Sequence, residues 1–255
     1  MTATDTPLVV FAAGSLEAAF TGIADDFART CHDRIQPHFG PSGLLREEIE
    51  WGEAAHVFAS ANLAHPQAIA AAGHGGPVAM FARNTLCALV RPGLPVTPDT
   101  LLEPMLAPDI IVGTSTPRAD PSGDYAWAMF DKAETIIPGA AERLKDKALK
   151  LTGAPDSTAA PEGHYPYAWV IDSGACDIFL TYRTNAARAA AEKPDLQIVE
   201  LPPALAVEAD YGLIVLNGAP EAAWRFALHV LSPAGQAILA GCGFTPVNLP
   251  EGERP

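Results

Sequence analysis

Three serines in this chain stand where a hydroxyl group could help to bind an anion. Ser15, Ser42 and Ser122 each follow a short turn and precede a segment with helical spacing of apolar residues. The N-terminus of a helix has unpaired N–H groups and a partial positive charge, so it can bind an anion without a cationic side chain. The same serines could instead cap their helices, and for any single serine capping is the simpler interpretation.

The elements that must position these serines alternate between short apolar segments and amphipathic ones, which is typical of an α/β fold with mainly parallel strands. Because the strands of such sheets end at one crevice, the three serines together favour an anion site. Strands are predicted at 8–12, 35–39, 56–60, 77–91, 110–113, 176–181, 196–201 and 211–216. Helices are predicted at 16–31, 43–51, 66–72, 123–132, 140–150, 165–173, 185–192, 219–231 and 233–240.

Composition excludes several classes of protein. The chain has 255 residues, of which 49% are apolar and 18% charged, so it can bury the core of one large or two small domains. The net charge of −14 comes without a basic stripe, which argues against nucleic acid and against an anionic membrane surface as partners. This charge would also repel an anionic ligand at long range, so an anion site must rely on local dipoles.

Motifs for catalysis and for metal binding are absent from the sequence. It contains no GxSxG elbow, no HExxH pair and no GxGxxG or GxxxxGK[ST] loop. Four cysteines lie far apart without a CxxC pair, and disulfides remain open. We therefore expect that the protein is not an enzyme, that it needs no cofactor and that its side chains bind no metal ion directly. The segment AAGHGG at 71–76 is interpreted as a helix stop.

The sequence leaves the compartment of the protein open. No run of about 18 apolar residues predicts a membrane span. The segment MTATDTPLVVFAAGSL lacks the basic and apolar regions of a signal peptide. We expect a periplasmic protein if a signal peptide has been removed, and a cytoplasmic one otherwise.

Six segments, in this order, resemble the periplasmic molybdate-binding proteins of ABC transporters, which are members of the type II periplasmic-binding-protein superfamily. The resemblance covers residues 8–244, nearly the whole chain. The segments are AAGSL at 12–16, PSGLLREEIEWGEAAHVFASAN at 41–62, ARNTL at 82–86, DPSGDYA at 120–126, FLTYRTNA at 179–186 and LSPAGQAILAGCGF at 231–244.

The resemblance implies an α/β fold of two lobes, each a mixed, mainly parallel sheet flanked by helices, with the ligand in the cleft between the lobes. Residues 1–82 and 206–255 would form lobe 1 and residues 83–205 lobe 2, with hinge strands near 81–85 and 204–208. It also implies a monomeric solute-binding protein that delivers molybdate or tungstate to the membrane permease of an ABC transporter.

In the first lobe, the resemblance implies that Ser15 and Ser42 bind the ligand through their hydroxyl and backbone amide groups. Neutral donors suit a dianion in an acidic protein, because burying a pair of full charges is costly. Such donors also discriminate against protonated oxyanions, whose O–H groups need an acceptor. Cavity size would then separate molybdate and tungstate from sulfate.

In the second lobe, the resemblance implies that three groups donate hydrogen bonds to the ligand. They are the backbone N–H of Ser122, the hydroxyl of Tyr182 and a further backbone N–H at His164 or Tyr165. The chain departs from the family in GHYPYAW at 163–169 and at His56, which replaces a common aspartate. These departures could change the pocket or add a donor whose charge depends on pH. Three alternatives stand beside this function: an enzyme as the main alternative class, a binder of sulfate, phosphate or a small carboxylate, and a cytoplasmic ligand sensor.

Overall fold

The computed structural model describes residues 7–31 and 33–247, which form two compact units. The first unit runs to Asn84 and resumes at Asp210, and the second unit is Thr85–Ala209. Residues 1–6, 32 and 248–255 lie outside the described part. The outer ends of the predicted first lobe therefore lie outside it too, as does the start of the segment compared above with a signal peptide.

Strands and helices alternate along the described residues. The strands are β1 (Leu8–Ala13), β2 (Ile35–Gly40), β3 (Val57–Ser60), β4 (Ala79–Val90), β5 (Val112–Ser115), β6 (Leu149–Thr152), β7 (Ile178–Tyr182), β8 (Gln197–Glu200), β9 (Glu208–Val215) and β10 (Thr245–Pro246). The helices are α1 (Glu17–Cys31), α2 (Ser42–Glu50), α3 (Ala64–Ala71), α4 (Leu102–Leu106), α5 (Pro121–Ala133), α6 (Ala140–Lys147), α7 (Pro166–Asp172), α8 (Arg183–Glu192), α9 (Glu221–Leu231) and α10 (Pro233–Gly241). Short 3₁₀ turns occupy Gly14–Leu16 and Pro98–Thr100.

The sheet of the first unit has the strand order β2–β1–β3–β9. β1 pairs in parallel with β2 and β3, whereas β9 is antiparallel to β3. The predicted apolar face of α1 is buried, and Phe27 of this face lies 5.4 Å from Phe226 of α9 between ring centroids. α3 ends at Ala71 and is followed by Gly73 with φ +77°, which confirms the predicted helix stop.

The sheet of the second unit joins β4, β7, β5 and β6 in that order, with β8 on the other side of β4. β5 is parallel to β6 and β7, while β4 is antiparallel to β7 and β8. Helices cover both faces: Ile178 and Leu180 of β7 belong to one buried cluster, and Phe179 belongs to the other. This alternation is that of a strand buried on both sides.

The helix predicted over 140–150 is too long. α6 ends at Lys147, and Leu149–Thr152 form β6, which pairs with β5 from Gly113↔Leu149 onward. Leu149 is 45% exposed, so the strand has little apolar signal of its own. Only its pairing with β5, distant in sequence, makes this segment a strand.

The described cysteines are free thiols, and two of them lie in the core. Cys87 and Cys176 are buried, and burial raises the pKa of both thiols. They therefore behave as small apolar core residues. No helix in the described ranges is long and apolar enough to cross a membrane.

Candidate functional site

Ser15 and Ser42 both lie at the carboxyl edge of the parallel strands of the first unit. Ala13 at the end of β1 lies opposite Gly40 at the end of β2, and each serine follows two residues later. β3 pairs in parallel with β1 and ends at Ser60, at the same edge. Parallel pairing therefore brings the starts of α1 and α2 together, as the sequence predicts.

Ser42 does not cap α2, although it is the first residue of that helix. Its Oγ accepts a hydrogen bond from the backbone N–H of Ala61, just beyond β3, at 3.1 Å. Because this N–H can only donate, the hydroxyl proton of Ser42 takes no part in this contact. The N-cap residue, Pro41, makes no side-chain hydrogen bond to the helix. No side-chain cap therefore occupies the first-turn N–H groups of α2.

The loop after β3 holds the N–H of Ala61 in place. The buried Ser60 hydroxyl donates to Oδ1 of Asn62 at 3.2 Å and accepts from the N–H of Asn62, also at 3.2 Å. The same Oδ1 accepts from the N–H of His65 at 3.0 Å. This Ser-Ala-Asn segment, visible in the sequence only as part of a resemblance, thus positions Ser42.

Ser15 does not cap α1 either, so the capping interpretation is wrong for both serines. It lies half-buried in the 3₁₀ turn before α1, and its Oγ is 2.8 Å from Oη of Tyr211. Nδ2 of Asn84 donates to the same Oη at 3.3 Å. Both partners are buried, and sequence reasoning missed both. The sequence offers two signals for these partners: Asn84 lies in the ARNTL segment, and Tyr211 is a tyrosine within the apolar strand β9.

His56 belongs to the opposite edge of the same strands, so its expected effect on the pocket is wrong. Its Nδ1 accepts from the N–H of Val9 at 2.9 Å, and its own N–H donates to the carbonyl of Val9 at 2.9 Å. Burial lowers the pKa of His56. The residue joins the amino end of β3 to β1 as a neutral acceptor, whereas Ser42 contacts the loop at the carboxyl end of β3.

His65 is a second neutral histidine in the first unit. Its ring is buried in α3, and Nδ1 lies 3.3 Å from Nη1 of Arg46 on α2. Because a guanidinium can only donate, Nδ1 is the acceptor. Burial and then the charge of Arg46 lower the pKa of His65 to about 4.

We expect acid to destabilise the first unit through these histidines. Their folded pKa values lie below the unfolded value of about 6.5, so the unfolded state binds more protons. The stabilising contribution is complete above pH about 6.5 and, for His65, an amount on the order of 2 kcal/mol is lost as the pH falls towards 4. Urea unfolding at pH about 7.5 and about 4.5 measures this loss. His65→Gln should lose less stability on acidification than the wild type, and an equal loss would contradict the assignment.

In the second unit, Ser122 lies at the start of α5, but its N–H already has an acceptor. Oδ1 of Asp120, the N-cap residue, accepts from this N–H at 2.9 Å. Asp120 rather than Ser122 therefore caps α5, and burial raises the pKa of Asp120. The side chain of Ser122 is buried beside the Asp120 carboxyl, and a side-chain hydrogen bond from Ser122 opposes the rise in the pKa of Asp120. An anion could use the N–H of Ser122 only by displacing the carboxyl of Asp120.

Tyr182 lies at the same edge of the second unit as Ser122. β5 and β7 are parallel, with Thr114 opposite Leu180, and Tyr182 ends β7. The buried ring of Tyr182 lies 6.1 Å from that of Tyr125 in the first turns of α5. The structure therefore brings together the start of α5 and the end of β7.

The groups of His164 and Tyr165 that were predicted to contact the ligand already have hydrogen-bond partners within the second unit. The N–H of Tyr165 donates to Oε2 of Glu192 at 2.8 Å, and Nδ1 of His164 lies 3.3 Å from Oε1 of the same carboxylate. The hydroxyl of Tyr165 donates to Oδ1 of Asn185 at 3.0 Å. Both donor groups of Tyr165 thus stabilise the contact between α7 and α8, and an anion could use this N–H only by displacing Glu192.

The chemistry that these residues offer is hydrogen-bond donation. The hydroxyls of Ser15, Ser42, Ser122 and Tyr182 are neutral donors, and two of the serines stand at helix starts without side-chain caps. Over the described ranges, no group of three or more His, Cys, Asp or Glu side chains could hold a metal ion. Each unit therefore offers, at its own edge, donors that suit an anion bound through its oxygens.

Comparison with known proteins gives the family. The profile of the bacterial extracellular solute-binding proteins matches residues 8–245. An uncharacterized protein of Pasteurella multocida is 32% identical over 240 residues, which cover 94% of this chain and 98% of that protein. The molybdate-binding protein ModA of Mycobacterium tuberculosis is 27% identical over 241 residues, which cover 93% of this chain and 84% of ModA.

Solved structures agree with the fold. The sulfate-binding protein SubI of Mycobacterium tuberculosis superposes with a TM-score of 0.77 at 16% identity, over 95% of this chain and 88% of SubI. At this identity the likeness concerns the fold alone. It confirms the α/β fold of periplasmic binding proteins, and the resemblance to molybdate-binding members is confirmed by the relatives. The chain belongs to the bacterial extracellular solute-binding proteins.

Proposed function

We propose that this protein binds molybdate or tungstate in the periplasm and delivers it to the membrane permease of an ABC transporter. The observation that carries the proposal is the pair of helix starts at one edge of the first unit, where neither Ser15 nor Ser42 acts as a cap. Membership of the solute-binding family supports binding without chemistry on the ligand, and the likeness to ModA supports the choice of oxyanion.

The electrostatics favour a ligand that is held by neutral donors. The chain has a net charge of −14, so long-range attraction does not draw in a dianion. Hydroxyls and helix N-termini stabilise the ligand only at short range, and they avoid the cost of burying a cationic side chain. The proton of Ser42, which the N–H of Ala61 directs away from the loop, is the clearest donor of this kind.

From the second unit, the proposal takes two hydroxyls. Ser122 contributes its hydroxyl, which must leave the carboxyl of Asp120 to reach a ligand. Tyr182 contributes its phenol, as the resemblance implies. We leave out His164 and Tyr165, because the carboxylate of Glu192 already receives the N–H of Tyr165. This donor set is poorer in backbone N–H groups than the resemblance implies.

Other anions are the second candidate, and the fold alone does not separate them. A sulfate-binding protein has a similar fold, and sulfate, like molybdate, is a tetrahedral dianion that needs only donors. Hydrogen phosphate carries a proton that needs an acceptor, and a donor-only site offers none. Cavity size would therefore separate molybdate from sulfate, and protonation would separate both from phosphate.

Thermal unfolding with added anions tests the proposal. Molybdate or tungstate at about one hundred times its Kd should stabilise the native protein by about 2.7 kcal/mol, which raises the Tm by about 5–10 °C. Phosphate should raise it least, and sulfate should have an intermediate effect. A shift caused only by a small carboxylate would show that the assigned ligand is wrong, and turnover of any bound compound would contradict pure binding.

A further inference from the structure

Three groups of the first unit form a chain of hydrogen bonds that ends at Ser15. Nδ2 of Asn84 lies 3.3 Å from Oη of Tyr211, and this Oη lies 2.8 Å from Oγ of Ser15. Asn84 is 2% exposed and Tyr211 is 0% exposed, whereas Ser15 is half-buried. The chain therefore starts in the core of the unit and reaches the surface at the proposed ligand-binding edge.

The chemistry of the three groups sets the direction of this chain. An amide NH₂ can only donate, so Oη of Tyr211 is the acceptor from Asn84. A phenol, with a pKa of about 10, is a stronger acid than an aliphatic alcohol, so it is the better donor in a contact between the two. Tyr211 then donates to Ser15, and the proton of Ser15 is directed to a different acceptor. The residue before it, Gly14, is exposed and leaves open space at this turn.

We propose that Tyr211 and Asn84 are positioning residues that direct the proton of Ser15 towards the ligand, so that the site favours fully deprotonated oxyanions. This inference rests on the proposed function and deepens it. Ser42 reaches the same state by other means, because the N–H of Ala61 occupies its oxygen. Both hydroxyls of the first unit therefore have one lone pair engaged and a proton left to donate to a ligand oxygen.

Tyr211→Phe removes the donor to Ser15 and leaves the ring in place. The ring packs edge-on against Phe81 at 6.2 Å and Phe244 at 5.3 Å between centroids. These contacts need no hydroxyl, so the variant should fold. Tyr167→Phe on α7 is the matched control, since it removes a tyrosine hydroxyl outside the proposed donor set.

Calorimetric titration with molybdate, sulfate and phosphate tests the proposal. Tyr211→Phe should lower the affinity for molybdate by about 3- to 20-fold, because Ser15 is no longer fixed as a donor. The Ser15 hydroxyl can then turn to accept a hydrogen bond from the O–H of hydrogen phosphate, so the ratio of phosphate to molybdate affinity should rise by about tenfold. Asn84→Leu should shift this ratio in the same direction by a smaller factor. Tyr167→Phe should leave it unchanged.

Repeating the titration of Tyr211→Phe in a protein that also carries Ser15→Ala shows whether Tyr211 acts through Ser15 or only supports the fold. If Tyr211 acts through Ser15, Tyr211→Phe should change neither affinity nor ratio once Ser15 is alanine. An equal loss for all three anions in both backgrounds would mean that Tyr211 only supports the fold. If Tyr211→Phe binds like the wild type while Ser15→Ala binds weakly, Tyr211 does not position Ser15. This result would leave the proposed function standing. Unchanged binding by Ser15→Ala would overturn the role given to Tyr211, and a wild type that binds none of the anions would overturn the proposed function as well.

Discussion

Replacing Ser42 by alanine is expected to lower the affinity for molybdate by about 10- to 100-fold. The hydroxyl is a donor to a charged ligand, and such hydrogen bonds contribute about 1.5–3 kcal/mol. Ser42 is 1% exposed, so water has little room to replace the lost group. Ser15→Ala should weaken binding by a similar factor. Isothermal titration calorimetry on both variants measures these losses.

The two variants should differ in stability without ligand. Ser42→Ala removes the hydrogen bond between the serine hydroxyl and the N–H of Ala61, which should lower the unfolding free energy by about 0.5–1.5 kcal/mol. Ser15 is half-buried, so its replacement should cost less. Ser173→Ala, at an exposed serine that follows α7, is the matched control and should change neither quantity. Affinities within about twofold of the wild type for both site variants would refute the site.

Gly123→Ala is expected to lower the unfolding free energy by about 3 kcal/mol or more. A Cβ at this position would lie 2.5 Å from the carbonyl oxygen of Ser115 and 2.6 Å from the nitrogen of Pro117. Both are backbone atoms, so no side-chain rotation relieves the contact. The start of α5 must move, and Ser122 moves with it, so the affinity for the anion should fall as well.

Gly241→Ala provides the control for this substitution. Gly241 ends α10, and no heavy atom lies within 4 Å of the position of its Cβ. Alanine there should be neutral or raise stability slightly, because it restricts the unfolded chain. Urea unfolding of both variants makes the comparison. An unfolding curve of Gly123→Ala that coincides with the wild type would show that α5 is not held against the loop as described.

Local patterns in the sequence were enough to predict most of the elements. The helical spacing in α1 identified its buried face, and glycine after α3 identified the end of that helix. The edge shared by Ser15 and Ser42 also followed, because parallel strands end at one side of a sheet. The cap of α5 also has a local signal, because an aspartate directly before a proline, here Asp120 before Pro121, is typical of a helix start.

The sequence by itself determined the α/β class, the family and the positions of the candidate serines, because periodicity, turns and motifs are local. What each hydroxyl does was decided only by the tertiary structure. The partner of Ser15 is Tyr211, 196 residues away, and the N–H of Tyr165 meets Glu192 across 27 residues. β6 is likewise a strand only beside β5. A hydroxyl or an N–H carries no sign of its partner in the sequence, since the partner comes within reach only when distant elements pack together.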